Sequence, residues 1–215
     1  MLESIQVKFL QMKEAMKDGG LKNVYRAQSL VVQNRVATPV VMDLSIAGVT
    51  MPTLPQDSPF RFVEIKMDEV EAGKWSFALP SRAMKTRINL KCNLRSFAIV
   101  EGSTVIGDVW CFINPKAGKI IAHPALKDLE ILDIKLSAGE AYSFDMAIAP
   151  PYRGKNLATP LQRYLQASLK AEGCQKVYGY YWDDNIPALW MHRMLKFKEL
   201  PKRRVSRFFF LMQVR

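Results

Sequence analysis

The chain predicts an α/β fold, and three stretches carry that prediction. Ser96 to Val100 and Val105 to Ile113 are apolar, β-rich runs separated by Glu101-Gly102, the pattern of a β-hairpin. Ala141 to Ala149 is a further strand-like run that feeds into a turn, Tyr152 to Ala158, holding Gly154. From that turn a helix-like segment runs to about Glu172 and is stopped by Gly173. Alternating strands and helices of this kind build a sheet covered by helices.

The other elements follow in chain order. Ile5, Phe9, Met12 and Met16 recur at helical spacing up to Gly19-Gly20, so an N-terminal amphipathic helix is expected, with that stripe packed on the core. Pro39 to Ile46 reads as a strand, and the proline-rich Met51 to Pro59 as a loop. Phe60 to Ile65 reads as a strand and Met67 to about Trp75 as a helix. Asn114 to Gly139 reads as an irregular insertion with a short strand at Ile131 to Ile134. Lys176 to Trp182 is a strand, Asn185 to Phe197 a helix, and Lys202-Arg203-Arg204 a turn before a buried strand, Phe208 to Val214. The chain divides into residues 1–59, an extension packed on the core, and residues 60–215, the principal domain.

The turn at 152–158 points to chemistry. A glycine-bearing turn that opens a helix aims unpaired backbone N–H groups at one place, and the helix dipole adds partial positive charge there. Arg153 and Lys155 flank Gly154 with full charges. Such a turn seats a phosphate or pyrophosphate.

Arg153 to Ala158 resembles the acyl-CoA loop of the GNAT acyltransferases, Gln/Arg-x-x-Gly-x-Gly/Ala, with Arg153 and Ala158 at its ends and Asn156 where glycine is usual. Asparagine is the residue after glycine that best tolerates positive φ. Ile148 to Tyr152 resembles the family's Val-x-Pro-x-Tyr lead-in. Downstream, Asn185, Ala188, Met191 and Phe197 are similar to the family's Asn-x-x-Ala-x-x-Leu-Tyr-x-x-x-Gly-Phe, with His192 at the Tyr position and Lys196 at the Gly position. The resemblance covers roughly residues 60–215.

It implies a mixed, mostly antiparallel central sheet with helices on both faces and splayed fourth and fifth strands. The wedge between those strands would admit acetyl-CoA, with the backbone of Met146, Ala147 and Ile148 bonding the pantetheine arm. Arg153, Gly154, Lys155, Asn156, Leu157, Ala158 and Asn185 would complete the cofactor site. The implied reaction is direct transfer of acetyl from acetyl-CoA to an amine acceptor. That reaction needs a deprotonated amine, a held carbonyl and a proton for the departing thiolate. His192 takes the position of the family's thiolate-protonating Tyr, and a histidine titrates near neutrality. Glu140, Tyr142 and Asp145 are the candidates for the base; Asp183 and Asp184 are rivals, both also suited to capping a helix. His123 reads as a loop residue; Trp182, Tyr178 and Tyr180 read mostly as core by alternation, with a place in the wall of an acceptor pocket as the alternative for Trp182.

Composition sets bounds. Three cysteines at wide spacing (Cys92, Cys111, Cys174) give neither a disulfide framework nor a metal-ligand pattern. No apolar run has the ~18–20 residues needed to cross a bilayer, and charges break up the first 20 residues. A reduced, cytoplasmic setting is the expectation. Of the net charge of +11, the last 75 residues hold +8, with 13 Lys/Arg against 5 Asp/Glu. A basic half suits a polyanionic cofactor. Two further classes remain open from the sequence: a module that holds CoA without chemistry, and, less favoured, a nucleic-acid-associated protein using Lys202-Arg203-Arg204 and Arg207.

Overall fold

The computed structural model describes residues 2–19, 32–45, 48–115, 123–208 and 211–214. Its strands are β1 (Val32–Asp43), β2 (Phe60–Ile65), β3 (Ser76–Phe77), β4 (Arg95–Glu101), β5 (Thr104–Ile113), β6 (Ala141–Ile148), β7 (Lys176–Trp182), β8 (Lys198–Glu199), β9 (Arg203–Phe208) and β10 (Leu211–Val214). The helices are α1 (Leu2–Gly19), α2 (Met67–Glu71), α3 (Pro80–Lys91), α4 (Pro124–Ile131), α5 (Ala158–Ala171) and α6 (Ile186–Met194). One sheet runs in the order β10-β9-β1-β7-β6-β5-β4-β2, with β3 and β8 paired at its sides. Neighbours along that order are antiparallel except β6 and β7. The α/β class, the mixed sheet and the two helical layers are as expected.

Alternation along the strands separates two cores. One face presents Val40, Ile99, Val109, Cys111, Ala141, Val177 and Tyr181 to Leu157, Leu161, Leu165 and Leu169 of α5 and to Met191 of α6. The other presents Trp110, Tyr142 and Phe144 to Leu94, Leu132 and Ile134. Burial of large side chains on both faces is the main stabilising contribution, about 1.5–3 kcal/mol each.

The first 59 residues enter the sheet more deeply than expected. β1 pairs with β7 from Ala37↔Trp182 to Asp43↔Lys176 on one edge and with β9 on the other. Residues 32–43 are thus an inner strand, not an extension laid on the core, and the reading of Pro39 to Ile46 caught only part of it. Pro39 is tolerated because it falls at a break in the pairing on the β9 side: β9 pairs β1 as far as Ala37 and β8 from Val40, and Pro39 O accepts from Leu200 N–H at 2.8 Å, so no ladder donor is needed from it. The helical reading of the N-terminus holds, but its buried face does not. Ile5, Phe9 and Met16 are 48%, 61% and 48% exposed, whereas Val7 is buried. Glu14 fixes that orientation: its carboxylate accepts from Ser81 N–H at 2.7 Å and Ser81 Oγ at 2.6 Å. It thereby caps the N-terminus of α3, whose own N-cap, Leu79, offers no side-chain acceptor.

Three stretches depart from expectation for physical reasons. α3 went unread because its inward face is polar: Ser81, Arg82, Thr86 and Asn89 are the buried residues. No apolar period marks such a helix. Residues 131–134 close a helix rather than form a strand. His123 caps α4 by accepting from Ala125 N–H at 3.1 Å, and Pro124 opens its first turn. Lys202-Arg203-Arg204 is not a turn; Arg203 and Arg204 lie in β9 opposite Ala37 and Val36. Arg203 pairs with Asp133 and Lys202 with Asp183, each at 2.6 Å.

Five helices end alike. Gly73, Asn93, Asp133, Gly173 and Lys196 all have positive φ, and the residues after them donate back to Glu69, Asn89, Leu129, Leu169 and His192. This is the left-handed stop that glycine favours. Lys196 therefore explains its own motif: the position that usually holds glycine has φ +60°. Lys196→Gly is expected to stabilise the fold by about 0.5–1 kcal/mol, the left-handed penalty less the entropy glycine loses. Denaturant unfolding checks it. An unchanged or lower midpoint would mean that the lysine charge near the helix C-terminus outweighs the strain.

Candidate active site

β6 and β7 form a parallel pair only at Ala141↔Val177 and Tyr142↔Tyr178. Beyond that register they diverge, as the resemblance implied for the fourth and fifth strands. The divergence opens a cleft of about 490 Å³. Phe144, Met146 and Ile148 come to it from β6, Tyr180, Tyr181 and Trp182 from β7, Arg153 and Ala158 from the turn and α5, and Asn185, Ala188 and His192 from α6.

The β6 wall is bent. Asp108 pairs with Ala147 but Trp110 with Phe144, so β6 carries one extra residue opposite Val109. Asp145, at that bulge, has φ +54°. The bulge sets which backbone groups face the cleft. Ala149 N–H donates to Ile106 at 2.8 Å, so by strand alternation Ala147 turns to β5 while Met146 and Ile148 turn toward β7. Met146 and Ile148 thus turn their backbone groups to the cleft side, and Ala147 turns its own to β5, beside Asp108. Gly107 permits this approach, since a Cβ there would come within 2.4 Å of Ile148 Cδ1 and 3.0 Å of Ala147 O.

The turn has the geometry of an anion seat. Gly154 and Asn156 have φ +79° and +55°, so asparagine takes up the left-handed conformation in place of glycine. The cap residue of α5, Leu157, is buried in the core and supplies no side-chain acceptor. Pro160 has no N–H, and Leu161 bonds Leu157 O at 3.1 Å. The N–H groups of Ala158 and Thr159 are left directed at the turn. Arg153 Nε donates to Ile148 O at 3.1 Å, tying turn to strand. Lys155 is exposed, its Nζ 5.1 Å from the Tyr152 ring and 5.7 Å from Phe60. Asn185 caps α6, accepting from Ala188 N–H at 3.3 Å.

His192 is buried at the cleft. Its ring stacks on Tyr181 with centroids 5.3 Å apart and meets Phe197 edge-on at 4.9 Å. Nδ1 lies 2.7 Å from Ala188 O. A carbonyl only accepts, so Nδ1 carries the proton and the neutral ring keeps its lone pair on Nε2. Burial holds the pKa below the ordinary value, only partly offset by the bond to Ala188.

The other candidates fall away from this role. Tyr142 is fully buried in the core face beside Phe144 and Trp110, outside the cleft, and burial drives its phenol pKa well up. Its alternation with Phe144 put both on the α4 side. Asp145 reaches the cleft, but it is clamped. Burial would raise its pKa, yet Arg82 at 2.8 Å and Lys85 at 2.6 Å hold it below the usual range. A carboxylate so held is a weak base. Glu140 sits at the closed end of the wedge, against Ser137 N–H and Lys176. Asp183 is taken by Thr38 and Lys202, and Asp184 by Arg35. Trp182 lines the cleft, with the Arg35 guanidinium 4.8 Å from its ring. His123 is no plain loop residue; besides capping α4 it meets Asn89 Oδ1 at 3.1 Å through Nε2.

The sequence reading missed Arg82 and Asp108. Both are buried, 2.8 Å apart. Asp108 carried the one available signal: a carboxylate inside an otherwise apolar strand implies a buried cation.

Residues 63–197 match the Acetyltransferase (GNAT) family. The chain belongs to that family. No curated protein matches the sequence. Among solved structures, the chain is similar to a GCN5-related N-acetyltransferase from Sphaerobacter thermophilus, at 12% identity over 92% of this chain and 57% of that one, TM-score 0.52. It is also similar to the GCN5-related glucosamine N-acetyltransferase region of a fungal multi-domain GH3 β-N-acetylglucosaminidase, at 14% identity over 88% and 23%, TM-score 0.56. A tandem GNAT protein from the clavulanic acid biosynthesis pathway matches at 15% identity over 86% and 56%, TM-score 0.50. At these identities the likeness is one of fold, and the GNAT chain spans little more than half of the first and third structures. Among the described residues no helix is long and apolar enough to cross a membrane.

Proposed function

We propose that this GNAT protein transfers acetyl from acetyl-CoA to an amine, with the Arg153–Ala158 turn holding the pyrophosphate and His192 accepting the amine proton. The observation that carries the reading is the meeting, in one cleft, of an uncapped helix N-terminus, outward-facing backbone of Met146 and Ile148, and a neutral imidazole. The pantetheine arm lies along β6, and the thioester carbonyl comes to rest between β6 and α6. The amine nitrogen attacks that carbon, and a tetrahedral adduct forms. His192 Nε2 takes the nitrogen's proton, the C–S bond breaks, and the proton passes to the departing thiolate. This assigns His192 the part of a base at rest, where its place in the motif suggested an acid. Acid work follows only after it has been charged by the acceptor.

Trp182, Tyr180 and Phe144 wall the acceptor side. A thiol-release assay with acetyl-CoA against primary amines, amino acids, peptides and aminoglycosides tests the proposal. Saturable, amine-dependent CoA release is expected with at least one class. Retention of CoA without release for any of them would leave a binding module, and no retention would remove the cofactor site.

A further inference from the structure

We infer that Arg82 is the positioning residue of this cleft, locking the β6 bulge so that the Met146 and Ile148 backbone faces the thioester. The role rests on the acetyltransferase reading above. Arg82 comes from α3, outside the cleft, and its guanidinium is 6% exposed. It spends its fork on the bulge: Nη1 donates to the Asp145 carboxylate at 2.8 Å and Nη2 to the Asp145 main-chain carbonyl at 2.9 Å. Nε donates to Asp108 at 2.8 Å, and Asp108 stands opposite Ala147 in β5. One planar group therefore grips both strands at the point where their register breaks.

The grip has a purpose that stability alone does not supply. Asp145 has φ +54°, a conformation that costs a non-glycine residue about 1–2 kcal/mol. Left to itself the strand gains by sliding one residue into regular pairing. A one-residue slip would turn Met146 and Ile148 away from the cleft and bring Ala147 into it. Lys85 also reaches the Asp145 carboxylate, at 2.6 Å, whereas Arg82 holds both the carboxylate and the carbonyl. A lysine in place of Arg82 can pair with Asp108 or Asp145 and lacks the fork to reach the main chain at the same time.

Two variants test this, because Arg82→Met alone would strand the buried Asp108 charge. They are Arg82→Lys and the double change Arg82→Met with Asp108→Asn. Amide exchange of the free protein is expected to rise at residues 144–149 in both, with the strand β4 protected as in wild type. The infrared stretch of the thioester carbonyl in bound acetyl-CoA is expected to return toward its solution frequency, and affinity to fall about tenfold, one misplaced hydrogen bond. A purely structural Arg82 would spread faster exchange over the whole sheet and leave the carbonyl frequency of the bound fraction unchanged; that result overturns the inference. Wild-type affinity and frequency in a folded variant does so too. If wild type itself binds no acetyl-CoA, the acetyltransferase reading falls with it, an outcome that calorimetry on wild type separates from the others.

Discussion

Replacing His192 by phenylalanine is expected to lower acetyl transfer by about 10²–10⁴-fold, the usual contribution of a placed proton acceptor. Affinity for acetyl-CoA should change little, because the lost interaction acts on the amine proton and not on the cofactor. Packing is expected to survive the change. Phenylalanine keeps the stack on Tyr181 and the edge contact with Phe197, and the carbonyl it abandons, that of Ala188, lies within α6. The pH profile discriminates between two roles. The neutral ring is the working form of a base, and burial lowers the His192 pKa. Activity is therefore expected to be full above the ordinary histidine value near 6.5 and to fall only as pH drops through a lower value. An imidazolium acting as the initial acid predicts the reverse, a loss as pH rises. Steady-state kinetics of wild type between acid and neutral pH, with His192→Phe as control, decides. Equal turnover in the two proteins would assign His192 to packing.

What the sequence disclosed and what it hid follow from how each element is stabilised. The hairpin, β6, the turn and α5 are local structures, and their signals are local: alternation, a glycine, an asparagine with positive φ, a glycine stop. The position of β1 is not local. Residues 32–43 pair with 176–182 and 203–208, and nothing within a strand names the strands beside it. α3 was hidden for a different reason. Of its inward side chains, Ser81 meets the Glu14 carboxylate, Arg82 two carboxylates and a carbonyl, and Asn89 the His123 ring, so Arg82 and Asn89 in sequence resemble the surface of a loop. The site divides in the same way. Motif spacing marks the turn and His192, and Arg153, Ala158 and His192 line the cleft. Tyr142 and Asp145 were misjudged as bases because their roles depend on what lies across the sheet. Burial silences the phenol, and Arg82 with Lys85 holds the carboxylate. Motif spacing finds the residues in such a site; only tertiary neighbours set their protonation.

Gly154→Val is expected to weaken acetyl-CoA binding about 5–30-fold, and more than Lys155→Ala does. In the proposed site the two residues would support the same anion by different means. Gly154 has φ +79°, and among the described residues nothing beyond its chain neighbours lies within 4 Å of where a Cβ would stand. The substitution thus brings no clash with the fold, and a backbone penalty of about 1–2 kcal/mol, somewhat more for a β-branched side chain, is the source of the loss. Relief of that penalty requires the turn to rotate, which takes the neighbouring N–H groups away from the pyrophosphate. The isopropyl group also projects into space the phosphate would use. Lys155, by contrast, is exposed and rests over Tyr152 and Phe60. Its charge acts through solvent, where a single pair contributes about 0–1 kcal/mol. Asn156→Gly should bind as wild type, since glycine adopts the conformation that Asn156 already holds at φ +55°. Calorimetric titration of the three variants at two salt concentrations gives the ordering. Salt should weaken wild type and Gly154→Val by similar factors, because the exposed charges are common to both, and Lys155→Ala by a smaller one. Equal affinity in wild type and Gly154→Val would place the pyrophosphate elsewhere and leave the turn as a connection between β6 and α5.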